Sequence, residues 1–562
     1  MTSEKSENDI GVDGSTSKDV DVLSIETASE DIQEDTIDEI QNAERGLSPQ
    51  ISPVSWNLTE PPLSRKATSI GTAGTSNPNF EIDFDDNDPL NPHNWSIWYK
   101  GLTLGFVSFS TLVVVIYSTS YSSGIAQMME EFNVSSEPVV TLGMTTYLMG
   151  LALGSVTLAP LSETYGRRPV YIISMAIFVV LFIPCGIGSS LAEVLVVRFF
   201  GAFAGSAMIA NAPGTVSDVS TEKYRALAFS IWSIGPLNGP VFGPIIGGFV
   251  TEYLGWRWTN WIVMILSGVA FVFMCIVEET YAPAILQKKA RQRREETGDE
   301  RWWCRYDQRV GLAERLRVNL SRPFIMMVTE PICIFWDAYI SVVYGLLYLC
   351  FVAYPIVFTG IRGWSTGISG LAFVGIGMGS LISIILEPVY RRIIKSHKPD
   401  PMTGHATPEA MVSIVCIATI LLPVGQLWFA WTSVPKTIHW IAPILAGIPF
   451  GMGNTAVFIY ATNYLAHSYG VYAASALAGN SVIRSMFGAT LPLAGPSMYS
   501  VMGPRWAGTF LGLLEVLIIP IPFAFYKYGH RIRMKSGLIQ KMQDDRRRLE
   551  VKEKMTPREG EP

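Results

Sequence analysis

Twelve stretches of about 20 mostly apolar residues divide this chain, and no other feature limits its fold so tightly. They lie near 101–121, 139–159, 170–188, 194–217, 227–250, 258–277, 331–357, 366–386, 410–430, 440–463, 471–494 and 507–527. Each matches the hydrocarbon thickness of a bilayer when coiled as a helix. Lipid offers no hydrogen bonds to the backbone, so such runs must cross as helices, and the expected class is an all-α membrane protein. Hydrophobic residues make up 49% of the 562 and charged residues only 16%. A single soluble core is excluded, because such cores stop growing near about 300 residues. The basic side chains fall between the apolar runs and not along one polar face, which argues against nucleic-acid binding.

The gaps between runs set the orientation. Alternate gaps, together with the C-terminal tail, carry thirty Lys and Arg, whereas the other gaps carry four: Arg257, Arg362, Lys436 and Arg505. By the positive-inside rule both termini and the long central gap are cytoplasmic. The expected organisation is an acidic disordered tail over 1–87, a six-helix bundle over 88–277, a basic loop over 278–325, a second bundle over 326–528, and a charged tail over 529–562. The formal charge of −6 conceals this split: residues 1–100 hold 6 basic and 20 acidic side chains, and the remainder carries +8. The tail has no apolar segment that would act as a secretion signal. It carries Arg65-Lys66 before Thr68 and Ser69, a pattern that basophilic kinases accept, although a plain solvated linker explains it as well. The run from Lys288 to Arg294 reads as an orienting loop that also touches anionic lipid. Six cysteines without any CxxC pair read as packing residues, and neither a metal site nor a cofactor is expected.

A weak internal repeat supports two halves. Glu163-Thr-Tyr-Gly-Arg167-Arg168 follows the second run, and Glu387-Pro-Val-Tyr-Arg391-Arg392 follows the eighth. The fifth run holds Gly235, Pro236, Gly239, Pro240, Gly243, Pro244, Gly247 and Gly248, with glycines four apart on one helical face. Tight packing explains part of this stripe, and a pliable helix at a moving interface is its functional reading. The pattern Gly239-x-x-x-Gly243-Pro244-x-x-Gly247-Gly248 resembles the antiporter motif of drug:proton antiporters in the major facilitator superfamily. Leu161-Ser-Glu163-Thr-Tyr-Gly166-Arg167-Arg168-Pro169 is similar to that superfamily's signature loop, with Glu where Asp is usual. Arg198-Phe-Phe-Gly201, Ser475–Asn480, Arg484–Gly488 and Asn91-Pro-His-Asn-Trp95 resemble segments of the fungal twelve-span drug:proton antiporters. The resemblance covers about residues 88–528. It implies twelve transmembrane helices in two pseudo-symmetric six-helix bundles, and proton-coupled export of small amphipathic or apolar toxic compounds; a monomer is expected, in the plasma membrane by default with the vacuolar membrane as the alternative.

Ionisable residues inside spans mark pathways or partners. Arg198, Asp337, Arg484 and Glu515 are the proton-coupling candidates, with Glu193 a possible partner of Arg198. Glu163, Gly166, Arg167, Arg168 and Arg225 form an expected cytoplasmic gate. The resemblance implies a substrate cavity lined by spans 1, 4, 7 and 10, with Asn211, Tyr344, Tyr348, Asn454, Phe458 and Asn463 as candidates. Aromatic faces with a few amides suit a flat, amphipathic or cationic compound. A proton-coupled importer or facilitator on the same fold, and a membrane nutrient sensor, are the alternatives. No nucleophile motif or nucleotide loop appears, so an enzyme is not expected.

Overall fold

The computed structural model describes residues 80–85, 88–221, 224–307, 312–397, 407–434 and 437–542; within these, the side chains of 225–227, 312–319 and 471 are outside the description. Thr68, Ser69 and most of both tails therefore lie outside the described residues. The first bundle contains α1 (Ile97–Ser120), α2 (Glu137–Tyr165), α3 (Arg167–Ile187), α4 (Leu191–Val219), α5 (Arg225–Leu254) and α6 (Trp256–Ile276). The second contains α7 (Pro331–Pro355), α8 (Thr366–Leu371 with Val374–Ile385), α9 (Glu409–Ser433), α10 (Ile441–Leu445 with Gly447–Tyr469), α11 (473–502) and α12 (504–533). Among the described residues, ten helical stretches are long and apolar enough to cross a membrane. The last of them is two helices, because Gly503 at φ 72° breaks the run ahead of Pro504. The stretch missing from the ten is α5, whose glycines, prolines and Asn238 dilute its hydropathy.

Lipid-facing stripes replace the polar faces of a soluble bundle. On α3, Ile173, Ile177, Val180 and Ile187 are all exposed, at helical spacing, while Val170, Ser174 and Phe178 point inward. Inside the first bundle, α1 lies along α5, and α2 and α3 pack on α4; in the second, α7 lies along α11 and α9 along α10.

The glycine stripe of α5 fits against α1. A Cβ on Gly235 or Gly243 would overlap Ser108 or Thr119, and one on Gly239 or Gly247 would come within 2.7 Å of Val115 or Ser120. This contact lies within one bundle, so the stripe is not itself the boundary between halves. The prolines have a matching logic. Pro236 and Pro244 lack the N–H that would bond the carbonyls four residues back. Those carbonyls are taken instead by α1 hydroxyls: Ser108 Oγ donates to Trp232 O at 2.9 Å, and Thr119 Oγ1 to Pro240 O at 3.2 Å.

The end of the acidic tail is ordered, contrary to a disordered segment ending at 87. Ile82 enters a small core with Leu286, Ala290 and Cys304, flanked by Phe84, Trp302 and Tyr306. Backbone bonds Ile82 N→Trp303 O (2.8 Å) and Trp303 N→Phe80 O (3.1 Å) tie it to the loop. Lys289 Nζ pairs with Asp88 at 2.8 Å, Arg305 with Asp83, and Arg294 with Asp307. Part of the basic run thus meets acids of this chain. The loop helix Ala282–Thr297 marks one face of the helical bundles, the loop face.

Candidate functional site

At the loop-face turn between α2 and α3, Gly166 (φ 97°) permits a reversal in which a Cβ would overlap the Glu279 carboxylate. Glu279, just past α6, accepts from four backbone N–H groups: Arg167 at 2.9 Å, Arg168 at 3.0 Å, Thr280 at 3.0 Å and Tyr281 at 2.9 Å. A carboxylate is thereby placed at the positive end of α3. Arg167 turns inward, only 6% exposed. Its Nε lies 3.3 Å from Asp218 Oδ2 at the end of α4, its Nη1 donates to Ser162 Oγ at 3.0 Å, and its guanidinium faces the Tyr281 ring. Gly214 leaves the space that guanidinium fills. Arg168 stays exposed and donates to Cys275 O at 3.0 Å. Glu163 makes no ion pair within 4 Å among the described residues, so the acids that hold the arginines are Asp218 and Glu279. Asn211, expected in the cavity, belongs to this turn: its Oδ1 accepts from Ser162 Oγ at 2.9 Å. The Arg225 side chain lies outside the described residues.

Arg198 sits two turns from the start of α4, at the end away from the loop face, and is 1% exposed. It is no snorkelling side chain and has no bond to Glu193. Its Nε donates to Gly143 O at 2.9 Å and an Nη to Tyr117 O at 3.1 Å, and the rings of Tyr117, Tyr121 and Tyr147 enclose it. Glu193 instead helps cap the start of α4: its carboxylate accepts from Ser189 N, and its own N–H bonds the Oγ of the N-cap residue Ser190.

In the second bundle, α7 and α11 form one seam. Asp337 is fully buried; its Oδ1 accepts from Asn480 Nδ2 at 2.9 Å and its Oδ2 has no partner. Two turns along α7, the Tyr344 ring lies 5.3 Å from the Arg484 guanidinium, which also lies 4.8 Å from the Phe458 ring of α10. The Tyr344 and Tyr348 rings are 4.8 Å apart, and Asn454 Nδ2 reaches Val343 O at 3.5 Å. Four of the six expected cavity residues (Tyr344, Tyr348, Asn454 and Phe458) thus gather near Arg484. Asn463 is exposed, five residues beyond Phe458 and so about 140° around the helix from it. Glu515 is 1% exposed and neither of its oxygens has a partner.

Away from the loop face the two bundles meet. Gly367 N donates to Glu252 Oε2 at 2.7 Å, joining α5 to α8; Thr145 Oγ1 donates to Ala489 O at 2.7 Å, joining α2 to α11; and Ser118 Oγ lies 3.0 Å from Tyr348 OH, joining α1 to α7. Gly248 and Gly370 sit where α5 and α8 touch backbone to backbone. A recess of about 280 Å³ lined by Ser122, Glu137, Phe351 and Phe373 lies beyond these contacts. Toward the loop face, no extensive packing joins α4 or α5 to α10 among the described residues. Arg484 lies about one turn nearer the loop face than Ala489, and Tyr344 one turn nearer than Tyr348. Sequence reasoning missed Asp218, Glu279, Glu252 and the three tyrosines around Arg198. Asp218 could have been found as an acid in the last turn of an apolar run.

A family model described as Major Facilitator Superfamily matches residues 107–487. Efflux pump FUB11 of Gibberella moniliformis is 38% identical over 484 residues, which cover 84% of this chain and 80% of the relative. The citrinin biosynthesis cluster MFS transporter mrr1 of Monascus ruber is 38% identical over 486 residues, covering 85% and 95%. The multidrug transporter mdrA of Aspergillus fumigatus is 37% identical over 497 residues, covering 86% and 80%. Among solved structures, the proton:xylose symporter XylE superposes with a TM-score of 0.56 at 13% identity, covering 77% of this chain and 96% of that one.

Proposed function

Because the chain belongs to the major facilitator superfamily, we propose that it exports small amphipathic or apolar toxic compounds in exchange for protons. Its relatives named as efflux pumps support the direction. The observation that carries proton exchange is Asp337: a buried carboxylate with one bare oxygen, in the same α7–α11 seam as Tyr344 and Arg484. A proton on Asp337 removes a costly buried charge, and releasing it requires access to water. That links the charge on Asp337 to which side the seam faces. The lysine and arginine bias makes the loop face cytoplasmic. The plasma membrane is the proposed location, and the monomer is the working unit.

In this reading the α5–α8 and α2–α11 contacts close the outer side while the cavity loads from the cytoplasm. Arg167, Asp218 and Glu279 clamp α2, α3, α4 and the segment after α6, so that the first bundle rocks as a unit. Arg198 ties α1, α2 and α4 together near the outer side, and the antiporter-type stripe holds α5 to α1. Gly248 and Pro244 meet α8 where the halves separate. Glu515 is a second proton site to be tested beside Asp337.

A growth panel of toxic compounds, applied to deletion and overexpression strains, identifies a transported compound. Everted vesicles then test coupling. Proton-driven accumulation of that compound, abolished in Asp337→Asn but with binding retained, supports the reading. Accumulation that needs the opposite gradient would make the chain an importer.

A further inference from the structure

Among the described residues, the arginines Arg167, Arg198 and Arg484 are sunk in the spans, and they differ in how their charge is met. Arg167 has a carboxylate, Asp218, at 3.3 Å. Arg198 is 1% exposed, bonds two carbonyls and is walled by three tyrosine rings, which leaves no room for a ligand. Arg484 has neither a carboxylate nor a carbonyl as partner among the described residues. Among them it makes one hydrogen bond, from Nη2 to Ser481 Oγ, long at 3.4 Å; its Nε is buried without an acceptor, and no carboxylate lies within 4 Å. The residue as a whole is partly exposed, unlike Arg198. It also occupies the faces of Tyr344 and Phe458, the surfaces on which a cationic compound would have stacked.

We propose that Arg484 anchors an organic anion, an aromatic carboxylate, in the export cavity. The proposal rests on the transporter reading and names the substrate class of that site. A guanidinium in a low-dielectric cavity lacks its counter-charge until an anion supplies one, and a carboxylate matches its planar fork with two parallel hydrogen bonds. The Tyr348 ring, 4.8 Å from that of Tyr344, extends the aromatic wall for a flat ring system, and Asn454 adds an amide at its edge. The site selects against cations, because Arg484 is itself a fixed positive charge where they would bind.

The test compares naphthoate, naphthamide and naphthylmethylammonium, which share one ring system and differ in charge. Their affinities for the purified full-length protein are measured by calorimetry at neutral pH. Naphthoate is expected to bind at least about tenfold more tightly than naphthamide, and the ammonium compound most weakly. In Arg484→Gln the naphthoate preference collapses while naphthamide binding persists. Arg484→Lys, which keeps the charge but not the fork, retains part of the preference and keeps the test valid if the glutamine variant fails to fold. The proposal is overturned by undetectable naphthoate binding at millimolar concentration, by tightest binding of the ammonium compound, or by a preference that survives both substitutions. Equilibrium binding does not depend on transport. Naphthoate preference without proton-driven movement of any of the three probes therefore counts against the export reading alone.

Discussion

Replacing Asp218 by Asn keeps the shape of the loop-face clamp and removes its negative charge. Arg167 and Asp218 are 6% and 7% exposed, and the ion pair spans 3.3 Å. At an effective dielectric of about 20, two unit charges at that distance attract by about 5 kcal/mol. Desolvation of both groups offsets part of this. The loss on removing one partner is nevertheless about 3–5 kcal/mol, because the other charge stays buried and unpaired. Ser162 and the Tyr281 ring remain on Arg167, so the lower end, about 3 kcal/mol, is expected. Thermal unfolding in detergent can be followed with a thiol-reactive dye, since Cys185, Cys304, Cys333, Cys350 and Cys416 are buried until the helices separate. Asp218→Asn should lower the apparent Tm clearly, and Arg167→Gln should do the same. The double variant should be less damaged than the sum of the two, with a coupling of about 2 kcal/mol or more. Glu163→Gln, which breaks no ion pair, should shift Tm much less. Additive single effects, or a Glu163→Gln loss as large as that of Asp218→Asn, would refute the assignment of the clamp to Asp218.

Gly243→Ala should sharply reduce the yield of folded protein in a detergent size-exclusion assay, because its methyl group would overlap Thr119 Oγ1; Gly268→Ala, with nothing within 4 Å, should have little effect. Burial works upward on the Asp88 carboxyl, but the bonds from Lys289 and the Leu90 N–H outweigh it, and the net pKa is lowered. Its contribution to holding the tail on the loop helix is therefore present above the ordinary carboxylate range and lost as pH falls through the lowered value. Limited proteolysis near residue 80 should quicken over that acidic window, and Lys289→Met should remove the pH dependence. Burial pushes the Cys304 thiol up to about 12, so at neutral pH maleimide should label Cys275, which is half exposed, well before Cys304. Equal labelling rates would contradict the packing of the loop core.

Much of the architecture was legible from hydropathy alone. The apolar runs found the helices, with ends extended by a few residues: the run at 194–217 became Leu191–Val219, and 471–494 became 473–502. The internal repeat pointed to two halves. The stripe in α5 was recognisable by its spacing, but its partner was not. Spacing says that one face is smooth, and only packing says that α1 lies against it. The tail was misread at its end because Ile82 and Phe84 are isolated apolar residues in an acidic segment. They become a core only when the loop supplies Leu286, Ala290 and Trp302, some 200 residues away.

The candidate site divides in the same way. Arg198, Asp337, Arg484 and Glu515 stand out in sequence because a charge within an apolar run is costly wherever it points, and Arg167 stands out through the repeated Glu-x-x-x-Arg-Arg pattern. What answers each charge is a non-local matter. Asp218 is 51 residues from Arg167, and Glu279 reaches the Arg167 backbone across 112. Arg198 is met by carbonyls and rings that carry no signal in a charge pattern, and Arg484 is met by two rings but by neither a carboxylate nor a carbonyl among the described residues. The sequence by itself determined that this chain crosses a membrane, which face its basic loops mark, and which side chains cannot be idle, since transfer of a residue into lipid depends on that residue and its neighbours. Only the tertiary structure decided which of those charges have a partner and which do not, since a partner's position depends on how distant helices pack.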